Sequence, residues 1–175
     1  MRVLLSVMLL GLLMSLAGVA CAEKWYMDPA KDAPKIEKGA RTITVAGAYL
    51  PDDGPVQEDF QLMLGYGTFI SDETELGLRW RGDEDTQDLY AYGAYHLGDP
   101  LGEAFPYVAA GVGYRFIDSA SERARGADDD FLWAGGLGAK LFLKNDMSIF
   151  AEWMYTESDS VSDDVFMLGI NKRIK

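Results

Sequence analysis

The sequence predicts an all-β chain: an eight-stranded antiparallel up-and-down transmembrane β-barrel. Three observations predict it. Beyond residue 40 the chain runs in segments of roughly ten residues that alternate apolar with polar or small side chains. The set opposite each apolar set collects glycines and charges together. Aromatic residues gather at one end of the apolar sets.

The elements follow in chain order. Arg2, the apolar run VLLSVMLLGLLMSLAGVA and the small-x-small triplet Ala20-Cys21-Ala22 read as a signal peptide over residues 1–22, with Glu23 as the new N-terminus. Two alternatives stand beside it: an uncleaved membrane anchor, and a lipoprotein acylated on Cys21. Cleavage after Ala22 removes the single cysteine, so neither a disulfide framework nor thiol chemistry is expected. No later apolar run is long enough for a membrane-spanning helix. Residues 23–39, with Pro29 and Pro34, read as a periplasmic N-terminal extension, and residues 40–175 as the barrel. The formal net charge of −12 does not suit a nucleic-acid binder, whose footprint is basic.

Strands are expected at 41–50, 59–70, 74–82, 88–97, 105–116, 130–143, 147–156 and 164–174. The stretch PYVAAGVGYRF (106–116) shows the pattern. Val108, Ala110, Val112, Tyr114 and Phe116 form a greasy face; Tyr107, Ala109, Gly111, Gly113 and Arg115 form a nearly bare one that ends in a charge. Elsewhere Gly65, Gly67, Gly77, Gly136, Gly138 and Gly169 share a face with charged residues. Glycine in a strand marks crowding or close approach. A narrow lumen is such a place, and the greasy face then points outward into lipid. An even strand number closes the sheet and leaves no unpaired edge in the membrane.

Numbering strands upward from the periplasm puts tight breaks near 71–73 and 144–146 at the bottom, with a longer one at 98–104. The upper breaks, near 51–58, 82–87, 117–129 and 157–163, are mostly longer and polar, the asymmetry expected of such barrels. The outward residues at the upper ends are Tyr49, Phe60, Trp80, Tyr114, Phe116, Phe131, Trp133, Trp153, Tyr155 and Phe166. Strand four supplies Leu89 instead. Such a belt suits an interface, where rings can be apolar at one end and wet at the other. The lower belt is thin, with Tyr95 as its main candidate.

The segments GYGTFISDETELGLRW (65–80), YAYGAYHL (90–97) and PYVAAGVGY (106–114), set within this eight-fold pattern, resemble the small eight-stranded outer-membrane β-barrels of the OmpA transmembrane-domain and OmpX-like kind. The resemblance covers about residues 40–175. It implies an integral protein of the Gram-negative outer membrane, surrounded by membrane lipid and lipopolysaccharide and inserted by the outer-membrane assembly machinery. The chain departs from the family by finishing Lys172-Arg173-Ile174-Lys175, where such barrels usually finish on an aromatic that the machinery reads.

The inward charges are Glu75, Arg79, Arg81, Arg115, Lys140 and Glu152, with Tyr90, Tyr92, Tyr107 and His96 beside them. Matching strand phases puts Gly138 opposite Glu152 and Lys140 diagonal to Glu152, within reach. It also sets Gly65 opposite Arg79. One reading is a plug of paired charges filling the lumen; the other is a gate in which an exchange of partners opens a conduit. The upper loops are acidic: Asp52, Asp53, Glu58 and Asp59; Asp83, Glu84, Asp85 and Asp88; Asp118, Glu122, Asp128, Asp129 and Asp130; Glu157, Asp159, Asp163 and Asp164. Solvated, mutually repelling loops explain this. Capture of divalent cations is the alternative, with Asp83, Asp85, Asp128, Asp129 and Asp130 as weak candidates. Arg81-Gly82-Asp83 matches an integrin-binding tripeptide, a match short enough to arise by chance.

Some outer-membrane barrels are lipid A hydrolases, acyltransferases or proteases. Those use a His with a Ser or Asp partner near the outer leaflet. The one histidine, His96, falls at the opposite end of strand four, without an H-x-S neighbour. The expectation is therefore a non-enzymatic barrel without a cofactor, with a structural or surface-interaction role through its loops. A narrow channel for small solutes and a soluble periplasmic β-barrel are the alternatives.

Overall fold

A computed structural model describes residues 37–50, 59–83, 85–97, 104–117, 129–143, 146–159 and 162–174. The expected signal peptide, most of the extension, and most of loops one and three lie outside these residues.

Eight strands follow one another: β1 (Arg41–Leu50), β2 (Asp59–Phe69), β3 (Thr74–Gly82), β4 (Thr86–His96), β5 (Ala104–Ile117), β6 (Asp130–Leu143), β7 (Met147–Glu157) and β8 (Ser162–Ile174). Each pairs antiparallel with the next, and β8 pairs with β1 to close the barrel. The closure carries a large stagger. From Leu78, partners lead through Tyr66, Ile43 and Lys172 to Met147 in one direction. In the other they lead through Ala91, Val112 and Trp133 to Glu157. Met147 and Glu157 are the two ends of β7, so the strands are strongly tilted against the barrel axis.

The tilted sheet is inside out relative to a soluble protein. Arg81 is 0% exposed, whereas Trp133 is 60% exposed and Leu78 57%. Every strand obeys the alternation read from the sequence. Glu75, Arg79, Arg81, Arg115, Lys140 and Glu152 are buried in the interior, as are Tyr90, Tyr92, Tyr107 and His96. Leu62, Leu64, Leu76, Leu137 and Ile170 are exposed on the outside.

The ends of the strands show what the alternation does not reach. β4 begins at Thr86, two residues before its expected start at 88. The cause is Asp83. Its Oδ1 accepts hydrogen bonds from the backbone N–H of Asp85 (2.8 Å) and Thr86 (2.9 Å), which ties the end of β3 to the start of β4. The β3–β4 ladder then continues to Gly82 and Gln87. Similarly, β8 begins at Ser162, paired with Glu157, where 164 was expected. At the other end of the barrel, the Ser71 hydroxyl accepts from the Thr74 N–H (3.0 Å) and holds the β2–β3 turn. Asp146, at φ 60°, turns the chain into β7; aspartate tolerates this left-handed conformation better than most residues.

Glycine is required where large groups converge. A Cβ at Gly67 would run into the Glu75 carboxylate, the Tyr92 hydroxyl and the Thr42 hydroxyl. Gly135 lies on the outward alternation, and a Cβ there meets nothing within 4 Å. We predict that Gly67→Ala destabilises the barrel by about 1–3 kcal/mol through overpacking. Gly135→Ala should stay within about 0.5 kcal/mol. Urea unfolding in lipid vesicles measures both.

Candidate functional site

The charged interior forms two clusters at different heights. In the lower one, Glu75 on β3 accepts hydrogen bonds from Lys140 Nζ (2.8 Å), the Tyr92 hydroxyl (3.0 Å) and the Thr42 hydroxyl (2.5 Å). Glu152 on β7 accepts two from Arg79, at 2.6 and 3.1 Å, and a third from the Tyr107 hydroxyl at 2.6 Å. The two carboxylates are linked through aromatic rings. The Arg79 guanidinium lies 4.0 Å from the centre of the Tyr92 ring, and Lys140 Nζ lies 5.1 Å from that of Tyr107. Two acids and two bases therefore form one neutral cluster that spans the lumen. The fork of Arg79 matches the carboxylate of Glu152 with two parallel bonds.

The upper cluster is built on Asp88 of β4. It takes Arg81 on one side and the Nε (2.8 Å) and Nη2 (3.1 Å) of Arg115 on the other. Arg115 Nη2 also meets Asp163 of β8 at 2.8 Å. These two acids and two bases are again balanced. Thr156 adds a long contact to Arg81 at 3.5 Å.

A mostly apolar layer lies between the clusters. The Tyr90 hydroxyl reaches from β4 to the Met154 sulfur on β7, at 3.8 Å. On β4, Tyr90 lies between Tyr92 of the lower cluster and Asp88 of the upper one. On β7, Met154 lies between Glu152 and Thr156 in the same way. Met63, Leu132, Val165 and Met167 are buried with them in one hydrophobic cluster.

This arrangement corrects two expectations. Lys140 does not pair with Glu152, although Gly138 does stand opposite Glu152. The Tyr107 ring fills the space over Gly138, and the tilt of the strands carries Lys140 to Glu75 instead. Asp88, expected at the first position of strand four and counted with the loop acids, is the centre of the upper cluster and not a loop acid. Its phase, shared with Tyr90 and Tyr92, was the signal for this. Asp163 likewise belongs to β8 and to this cluster. His96 packs between Phe69 and Tyr107, and its Nδ1 lies 3.2 Å from the Glu73 carbonyl.

Among the described residues, no three acids, histidines or cysteines converge where they could hold a metal ion. Asp83 is engaged by Gln61 and by its own turn, and the Asp129 carboxylate accepts from the Ile117 N–H. Asp85 is exposed. Asp130 accepts from the Phe131 N–H, and Asp128 lies outside the described residues.

The rings form two rows on the outside. Trp153, Phe166, Tyr49 and Phe60 are consecutive partners across β7, β8, β1 and β2. Trp80, Leu89, Tyr114 and Phe131 are consecutive partners across β3 to β6. Phe116, Trp133 and Tyr155 lie two residues along the same outward faces. The polar tips find partners near the rim: Trp153 Nε1 donates to Asp164 (3.0 Å) and Trp80 Nε1 to Gln87 (3.4 Å). At the other end, Tyr95 donates to Glu73 (2.7 Å).

No family model matches the chain, and no curated protein matches it. Solved structures do. The N-terminal β-barrel domain of Pseudomonas aeruginosa OprF aligns with a TM-score of 0.60 at 18% identity, over 78% of this chain and 98% of that one. Pseudomonas aeruginosa OprG, an outer membrane protein, aligns at 0.53 and 17%, over 80% of this chain and 98% of that one. Yersinia pestis Ail, an outer membrane protein in a phospholipid bilayer nanodisc, aligns at 0.51 and 15%, over 78% and 100%.

The layered lumen makes a thermodynamic prediction. Asp88→Asn leaves Arg81, and Glu152→Gln leaves Arg79, without a counter-charge, and each should cost about 3–5 kcal/mol. Combined, they should couple far less than the members of one cluster do, because the Tyr90–Met154 layer lies between them. Asp88→Asn with Arg115→Gln should be strongly non-additive. Double-mutant cycles from reversible unfolding in vesicles test both statements. The chain has the fold of the small eight-stranded outer-membrane β-barrels.

Proposed function

We propose that this chain is an integral outer-membrane β-barrel, delivered by a signal peptide, with a structural or surface-interaction role and no catalytic one. The observation that carries the reading is the inverted barrel itself. An apolar band, with outward charges only at the strand ends, surrounds an interior of ion pairs, which suits lipid outside and disfavours water there. The two rows of rings suit the interface of the outer leaflet. The fold shared with OprF, OprG and Ail supports the same location.

The lumen supports a plug. Its charges are matched within each cluster, and large side chains meet across it. At the periplasmic end a small cavity, lined by Phe69, Lys140, Phe142 and Ser148 among others, holds about 30 Å³, room for a water molecule or two; a wider opening of about 480 Å³ lies outside it, between Lys38, Asp146 and Arg173 at the rim. That leaves the acidic loops as the part of the molecule that meets the outside. The region around His96 favours packing over catalysis, since its ring is wedged between two others.

Two measurements test the proposal. Unboiled outer-membrane fractions in SDS should contain a folded form whose gel mobility shifts on boiling. Recovery in the soluble periplasmic extract without a shift would contradict it. In planar bilayers the wild-type chain should give no steady conductance, and Glu152→Gln should lower stability without opening a pore. Stepwise conductance that appears with Glu152→Gln would favour the narrow channel.

A further inference from the structure

We infer that the outward face of β8, β1 and β2, at the periplasmic end, holds the headgroup of an anionic phospholipid. The inference rests on the membrane reading above. Charged residues on the outward alternation of the described strands are segregated by sign. Arg41 and Lys172 stand at the end where β1 begins and β8 finishes; Glu157 and Asp164 stand at the opposite end. Arg41 and Lys172 are both exposed.

The register brings the two bases together. Arg41 is the partner of Ile174, and Ile43 is the partner of Lys172, so Arg41 and Lys172 are diagonal neighbours on one face. Such neighbours are roughly 7–8 Å apart, a span that two long side chains can close around one phosphate. Thr68 of β2 stands directly opposite Arg41 and adds a hydroxyl at the same level. Further along the same face, Ile43 is 45% exposed, Val45 49%, Tyr66 45% and Ile170 40%. A cationic foot below an apolar wall has the outline of a phospholipid: phosphate at the bases, acyl chains along the wall. Arginine binds phosphate with two parallel bonds, and lysine adds a point charge.

The test uses the chain refolded into nanodiscs of phosphatidylcholine and phosphatidylglycerol in equal amounts. Native mass spectrometry after release into mild detergent counts the lipids retained. The wild type should retain phosphatidylglycerol over phosphatidylcholine by about five-fold or more. Arg41→Gln with Lys172→Gln should bring the ratio close to one. Lys172→Arg should preserve the preference, and Glu157→Gln should leave it unchanged. Inorganic phosphate added in excess should not displace the lipid; displacement would overturn a lipid as the natural occupant. A double variant that keeps its heat-dependent gel shift and its lipid preference would overturn the inference while leaving the membrane reading intact. Loss of the shift in every variant and the wild type would instead remove the membrane reading. Should the double variant fail to fold, Arg41→Gln alone must reduce the ratio; an unchanged ratio overturns the proposal.

Discussion

A charge inside a narrow barrel cannot be solvated as it would be in water, so each one needs an opposite charge or a hydrogen-bond partner within the lumen. The whole interior follows from this constraint. Two carboxylates and two cations make up each cluster, and the hydroxyls of Thr42, Tyr92 and Tyr107 take up remaining acceptor capacity on Glu75 and Glu152. An isolated buried pair is a weak source of stability. These pairs do something else: they fix which strands face one another across the lumen. Arg79 ties β3 to β7, Lys140 ties β6 back to β3, and Arg115 ties β5 to both β4 and β8.

The backbone is shaped around these side chains. Glycines stand where a tyrosine ring or a carboxylate comes close, as at Gly67 and Gly138. The outer surface carries no such specificity. Its side chains are apolar and make few contacts with one another's polar groups, so hydrophobicity is what they share. Sequence detail is thus concentrated inside, and hydrophobicity outside, the reverse of a soluble domain. The polar tips of Trp80, Trp153 and Tyr114 all turn to partners near the upper rim, so the belt is oriented by hydrogen bonds as well as by apolar surface.

Much of this was legible in the sequence because alternation has a period of two, which assigns a face without any knowledge of partners. That logic placed Glu75, Arg79 and Glu152 inside and Trp133 outside. Across a tight turn it also gave the pairs Gly65–Arg79 and Gly138–Glu152. It could not give contacts across the lumen. Those depend on strand tilt, which is set by the stagger accumulated around all eight strands. Lys140 therefore went to the wrong carboxylate. Asp88 was counted with the loop acids, although it opened the expected strand at 88, for a local reason: it follows a run of loop-like acids, and the Asp83 turn that extends β4 to Thr86 is made by a side chain, not by a hydrophobic pattern.

The most direct test of the inverted barrel is where its tryptophans lie. With Trp25 replaced by phenylalanine, the remaining indoles are Trp80, Trp133 and Trp153, all on the outward face. Their fluorescence should be quenched strongly by lipids brominated near the headgroup end of the acyl chain, and weakly by aqueous iodide. Strong quenching by iodide with no effect of brominated lipid would contradict the account, because the rings would then face water or a protein core.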